Sequence, residues 1–551
     1  LNGFYAKSYA EELPNERMFV SFMRSQQDIT SLLEKHGFFK EDAEKQEKII
    51  DDLQKTLNDS VKSIDKTLHV DIDAFFEGNS FYATVYQDFR DVRLVFAVPK
   101  SMGKFGGETD NWMWPRQTCD FSVFRIYADP ETNGPADYNE HNVPYHPKHW
   151  APVSMDGYKE GDFAMTMGYP GSTSRYLSSY GIRERRDAQN EPRAQVRGVK
   201  QEVMKKHMNQ DEAVRIKYDS KYAQSANYWK NSIGMNKCID SIGLIRQKQE
   251  FEQRIRAWQD TAQTMAKKVD FDELEQLYAS RLQAMKVWTN FIETFYNTSE
   301  FNSRALTATR LQLQGPENKP KKQFAMFDDN SEKWDAALDK EVMAVLLKNY
   351  RQQVPAEYLP AFYEQIDSRF KGDYTAFVDY LYSKSVLMQS GKKIYVNRKK
   401  FEKDPGVNYG RDLMDLFATL RGQLAATYGD IEKQERALCD AKLKMECNLP
   451  HYSDANFTMR LSYGQVKEFE LAGKPSGYYT TAESIVAKMN QGDANSDYFA
   501  EPIMKELLSQ QDYGPYQDKE TGKLHLCFLT NNDITGGNSG SPMFNGKGQP
   551  I

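Results

Sequence analysis

Thr535-Gly536-Gly537-Asn538-Ser539-Gly540-Ser541-Pro542 lies between two strand-like stretches. The run Leu524–Thr530 precedes it, and the strand entering the hairpin turn Asn545-Gly546-Lys547-Gly548 follows it. Small residues on both sides of Ser539 let a carbonyl group approach its hydroxyl, and the N–H groups of Gly537 and Ser539 can converge on the oxyanion formed by attack. A strand follows rather than a helix, and Gly540-Ser541 does not complete Gly-x-Ser-x-Gly, so this is not the nucleophile elbow of the α/β-hydrolases. The competing reading is a glycine-rich β-turn in which Ser539 bonds only its own backbone.

Outward from this turn, the period of the apolar residues changes twice. From about Asn79 to Pro170 it is two: Val92, Leu94, Phe96 and Val98 alternate with Arg93, Val95 and Ala97, and Phe121–Tyr127 and Phe163–Met167 are further short runs. Ahead of them the charged stretch Glu41–Leu57 sets Ile49, Ile50 and Leu53 on one face of an exposed helix. After about Ser172 the period is helical. Phe251, Ile255, Trp258, Ala262 and Met265 form one stripe. A second helix starts after Asp270, with Glu273 placed as in a capping box, and carries Leu274, Tyr278, Met285, Trp288 and Ile292. Leu338–Tyr350, Tyr374–Leu387 and Leu413–Leu443 read as helices and Gly315–Lys322 as a loop. Period two returns at Phe457–Phe469 and Leu524–Thr530. This order predicts an α+β chain in which residues 1–172 and 456–551 carry the strands and a helical domain, 173–455, is inserted between them.

Composition narrows the classes of function. With 551 residues the chain exceeds one compact core, and 40% apolar with 27% charged residues exclude a disordered or fibrous chain. Seventy-two Lys and Arg against 78 Asp and Glu give a net charge of −6, so no global basic field is available for nucleic acid or an anionic membrane. The 32 Tyr and 31 Phe suit large packed interfaces or peptide- and sugar-contacting surfaces equally. Cys119, Cys238, Cys439, Cys447 and Cys527 form no Cys-x-x-Cys pair, so a structural zinc is not expected; a serine nucleophile calls for no cofactor, and none is expected. No apolar run approaches a membrane span. No basic-then-apolar leader follows Leu1, and Ile551 sits on the return arm of a hairpin, so the chain is expected to be a fragment cut at both ends.

A nucleophilic serine needs a base and a residue to orient it. None of His36, His69, His141, His146, His149, His207, His451 and His525 has the small-residue strand-end setting expected of that base. His141, His146 and His149 fall in a Pro- and Asn-rich stretch and read as a surface loop rather than a metal site. The segment Phe105–Phe121 crowds two Trp, two Asp, an Asn and an Arg into an irregular stretch, as binding loops do. Asp120, just before the strand Phe121–Tyr127, is the candidate for a buried aspartate that accepts an imidazole N–H. The alternative makes Asp110 and Asp120 turn formers and both Trp core residues.

Taken together, GGETDNWMWPRQTCDFSVFRIYAD, MGYPGSTSRY, ANYWKN and TGGNSGSP, in that order, resemble the bacterial serine dipeptidyl peptidases of the group containing dipeptidyl peptidases 7 and 11. The resemblance spans essentially the whole chain. It implies a chymotrypsin-like double β-barrel interrupted by a large all-α domain that caps the cleft. It also implies a homodimer in the periplasm or at the surface of a Gram-negative bacterium, removing dipeptides from free peptide N-termini. By the same resemblance Ser539 is the nucleophile and Asp120 the triad aspartate, with the Gly537 and Ser539 N–H groups as oxyanion hole. Asn111, Trp112 and Asn227 then hold the substrate's amino terminus. The family histidine is expected shortly before Leu1, in a Thr-Asn-His-His-Cys-like string, and the residue selecting an acidic or hydrophobic side chain shortly beyond Ile551. Gln117 stands where a His is expected, a change expected to affect packing more than chemistry. A non-catalytic peptide-binding homologue without the base is the alternative.

Overall fold

The computed structural model describes residues 3–261, 268–296, 298–314, 331–388, 402–471, 473–493 and 496–551. Ala262 and Met265 of the apolar stripe, and the Gly315–Lys322 loop, lie outside them. The chain divides into two compact units, Leu1–Tyr176 with Lys442–Ile551, and Leu177–Ala441.

The first unit is built on strands. Val20–Asp28, Ser80–Phe89 and Leu68–Phe75 form an antiparallel sheet with Ser80–Phe89 in the middle. The helix Ala43–Ile64 packs on it through Ile49, Ile50, Leu53, Leu57 and Val61, against Ile29, Leu33, Phe38, Val70, Phe81 and Ala83. Asp42 caps this helix by accepting the Lys45 N–H at 3.0 Å. Its far end is fixed by Asn58, whose amide exchanges two hydrogen bonds with the Val70 backbone at 2.8 and 3.0 Å, as a neighbouring strand would. No residue of the helix is fully buried, in line with an exposed helix, but the stripe extends to Val61 rather than stopping at Leu57.

Asp91–Ala97 pairs with Ser122–Ala128 and, on its other edge, with Phe4–Tyr5 and Leu13–Pro14. Its alternation does not sort the side chains as expected. Val92 is buried, but so is Arg93, and Leu94 and Phe96 are only half-buried. Arg93 is held inside by Asp91, at 2.9 and 2.7 Å, and by the Tyr127 ring 3.6 Å away, while a register shift between Leu94 and Phe96 exchanges the faces.

A third sheet joins distant parts of the chain. Phe163–Gly168 is its central strand, flanked by Arg460–Gln465 and Met543–Phe544, so that Met165 lies opposite both Tyr463 and Phe544. Two-stranded pairs, Glu470–Leu471 with Lys474–Pro475 and Tyr479–Thr481 with His525–Phe528, and the short strand Val143–Pro144 on the edge of Ser122–Ala128, complete the described strands.

The second unit is helical. Its core gathers Phe291, Phe295, Phe301, Tyr350, Phe362, Phe377 and Tyr409, which accounts for part of the high aromatic content. The stripe on Leu244–Thr261 is anchored by fully buried Ile255. Asp270 caps the helix Phe271–Phe295 by accepting from the N–H groups of Asp272 and Glu273 at 3.1 and 2.9 Å. The capping box is not completed by Glu273. The Gln434 amide takes that place: its Oε1 accepts the Asp270 N–H at 3.0 Å, and its Nε2 donates to the Glu273 carboxylate.

Candidate active site

The turn at Ser539 is made by glycine. Asn538 N–H donates to Thr535 O at 3.2 Å and Ser541 N–H to Asn538 O at 2.9 Å, so two tight turns follow one another. Gly537 at φ +102° and Gly540 at φ +83° occupy backbone conformations that L side chains avoid. The strand Phe163–Gly168 runs on into the floor beneath the turn. Gly171 N–H donates to Gly536 O at 2.6 Å, and a Cβ on Gly171 would lie 2.8 Å from that oxygen. Phe457 N–H in turn bonds Pro170 O and Gly171 O at 2.9 and 3.0 Å, and Thr166 Oγ1 donates to Pro542 O at 3.0 Å. Position 171 is therefore a glycine because two backbones meet there.

Ser539 is exposed. Among the described residues its hydroxyl has no hydrogen-bond partner, and the N–H groups of Gly537 and Ser539 bond no protein acceptor. The reading in which Ser539 serves only to bond its own backbone is thus not the arrangement found.

Asp120 differs from expectation. It is exposed, preceding the strand Ser122–Ala128, and its neighbour Phe121 is exposed as well. Ser539 and Asp120 belong to different sheets, the first preceding Met543–Phe544 and the second Ser122–Ala128. The buried aspartate of this segment is Asp110, 7% exposed. It did not stand out from the sequence because its partners are remote: Lys488 Nζ donates to its Oδ2 at 3.0 Å and the Tyr498 hydroxyl to its Oδ1 at 2.8 Å. Burial, then this bond to Asp110, pushes the Tyr498 phenol up to about 12, so it stays a donor. Gln117 is fully buried and accepts from the same Lys488 ammonium at 3.0 Å, while its Nε2 has no partner among the described residues.

Asn111 and Trp112 follow Asp110. Asn111 Nδ2 donates to Glu108 at 3.2 Å, and Arg116 approaches Asn111 Oδ1 at 3.5 Å. Trp112 is 54% exposed and sits at φ +61°, and Trp114 donates from Nε1 to Ser476 O at 3.1 Å. Neither Trp is a core residue, and Asp110 is an anchor rather than a simple turn former. The loop is further tied by Thr109, whose N–H and hydroxyl both donate to Asp497, and by Thr480, whose hydroxyl donates to Arg116 O. Asp497, Tyr498, Thr480 and Lys488 carry no motif of their own.

In the helical unit, Asn227 is exposed on Glu212–Ser241, next to buried Ser225 and Ala226. Gln201 donates to Ser225 Oγ at 3.1 Å, and the Arg197 guanidinium lies 4.9 Å from the Tyr228 ring centre. His141, His146 and His149 lie in an irregular loop, and among the described residues no cluster of His, Cys, Asp or Glu is placed to hold a metal ion.

The family model described as Peptidase S46 matches residues 1–551. The chain belongs to the peptidase S46 family. Dipeptidyl-peptidase 7 of Phocaeicola vulgatus is 39% identical over all of this chain and 78% of its own length. The Asp/Glu-specific dipeptidyl-peptidase of Porphyromonas gingivalis is 32% identical with the same coverage. The crystal structure of Porphyromonas endodontalis DPP11 in complex with the dipeptide Arg-Glu superposes with a TM-score of 0.86 at 29% identity, covering all of this chain and 80% of that one.

Proposed function

We propose that this S46 member is a serine dipeptidyl peptidase releasing dipeptides from free peptide N-termini, with Ser539 as nucleophile. The exposed Ser539 hydroxyl, left unbonded among the described residues in a two-glycine turn whose Gly537 and Ser539 N–H groups also bond none of them, carries the reading. In it, Ser539 Oγ attacks the carbonyl carbon of the second substrate residue as a general base takes its proton. The two N–H groups receive the oxyanion, the proton passes to the leaving amine, and water then hydrolyses the ester. Asp120 orients the base. Asn111 and Trp112 recognise the substrate ammonium by amide oxygen and ring face, and the assignment of Asn227 to the same task rests on the family resemblance alone. The small sheets of the strand-bearing unit are then parts of a chymotrypsin-like double barrel. Export to the periplasm or cell surface and assembly as a homodimer belong to the same reading and rest on the family resemblance alone.

Relatives named dipeptidyl-peptidase 7 and relatives named Asp/Glu-specific dipeptidyl-peptidase both match the chain, and the family resemblance leaves the preference before the cut either apolar or acidic. A substrate panel varying that one residue decides it.

Ser539→Ala in the natural gene product should abolish turnover, a loss of several orders of magnitude, and leave KM-level binding of the peptide intact. Wild-type rates in that variant, or fluorophosphonate labelling at another serine, would remove Ser539 from the role.

A further inference from the structure

Asp110 to Met113 is a single turn, closed by Met113 N–H on Asp110 O at 3.1 Å, and its two central residues are Asn111 and Trp112. Trp112 at φ +61° holds a conformation that a bulky residue keeps only where its surroundings impose it. What imposes it is visible at the first residue of the turn. Both Asp110 carboxylate oxygens are engaged, one by Lys488 and one by Tyr498. Gly106 lies so close to Asp110 that a side chain there would come within 2.8 Å of its Cβ. The Lys488 ammonium also holds Gln117 Oε1, so one cation ties together both ends of the stretch from Asp110 to Gln117. Lys488 lies on the helix Ala482–Lys488, and Tyr498 packs with Ile485 and Ala500 around Phe105.

We infer that Lys488 and Tyr498 are positioning residues for amine recognition: they fix Asp110 and thereby the directions in which Asn111 and Trp112 are presented. The inference rests on the reading of Asn111 and Trp112 proposed above. Lys488 acts through Asp110 and Gln117, and its loss frees the turn without touching the Ser539 turn.

The test compares Lys488→Met, Lys488→Arg, Tyr498→Phe and Asn111→Ala in the natural gene product, using a free-amine dipeptidyl-coumarin substrate and, separately, fluorophosphonate labelling of Ser539. The expected result is a rise in KM of about tenfold for Lys488→Met, as for loss of a charged hydrogen bond. Tyr498→Phe shows a smaller rise, Lys488→Arg recovers most of the affinity, labelling rates are unchanged, and amide exchange at Met113 is faster. A parallel loss of labelling and affinity in Lys488→Met overturns the inference, because the residue then only supports the fold. An unchanged KM in Lys488→Met beside a raised KM in Asn111→Ala overturns it too. An unchanged KM in Asn111→Ala overturns the reading of Asn111 itself, and the inference with it. Tyr498→Phe removes one hydroxyl and keeps the test decisive should Lys488→Met not fold.

Discussion

A side chain at position 537 would share space with backbone: its Cβ would fall 2.5 Å from Gly171 N and 2.6 Å from Tyr169 O, at φ +102°. Gly536, one residue earlier, would carry its Cβ with no atom of the described residues within 4 Å. The pair makes a sharp contrast. Gly537→Ala must push the turn off its floor and turn its N–H away from the oxyanion, so turnover should fall roughly a hundredfold or more, while Gly536→Ala stays near wild type. Initial rates on one dipeptidyl substrate check this, and equal losses in the two variants would mean that the close approach at Gly537 does not matter to catalysis. The chemistry of this turn was legible in the sequence because every residue that shapes it lies within eight positions, apart from the floor at Gly168–Gly171. The loop at Asp110 was not legible to the same degree. Its anchors Lys488 and Tyr498 stand 378 and 388 residues away, and no local pattern shows that Asp110 rather than Asp120 is the buried carboxylate.

Among the helices, the start of Glu300–Gln314 is held by a carboxylate from another element. Asp339, on Ala336–Gln353, accepts the Glu300 N–H at 2.9 and 3.0 Å and the Phe301 N–H at 3.4 Å, and also receives the Tyr382 hydroxyl. Burial nevertheless outweighs these donors and pushes its pKa from 3.8 up to about 6. The folded chain then keeps this proton up to about pH 6, whereas the unfolded chain releases it near 3.8. Between those values the folded state binds more protons, so the contribution of Asp339 to stability is present at low pH and is lost as pH rises through 6, by roughly 3 kcal/mol in total. Asp339→Asn should remove that part of the pH dependence. Urea titrations of both proteins from pH 4 to pH 7 measure it, and identical slopes would show that Asp339 does not titrate there. Helices such as Phe271–Phe295 were readable from the apolar period and the Asp270 cap, although the partner that completes the cap, Gln434, was not. The strand Val20–Asp28 escaped because it is largely exposed and polar, whereas Leu68–Phe75 alternates Leu68, Val70, Ile72 and Ala74 with His69, Asp71 and Asp73, a period of two that was present in the sequence and passed over.

At the scale of the molecule, the sheet beneath the nucleophile turn brings together Phe163–Gly168, Arg460–Gln465 and Met543–Phe544, so it joins the two parts of the strand-bearing unit that the helical residues separate in sequence. That order was visible as a change of period along the chain, and the pairing of these three strands was not, since register is set by contacts over hundreds of residues. The family assignment and the Ser539 turn converge on one activity. Its most direct test is to incubate the natural gene product, and its Ser539→Ala variant, with a free-amine hexapeptide and with the same peptide N-acetylated, and to identify the products by mass spectrometry. Stepwise loss of dipeptides from the free-amine peptide alone, absent in Ser539→Ala, is the expected result. Equal cleavage of the acetylated peptide, cuts at internal bonds, or dipeptide release by Ser539→Ala would contradict it.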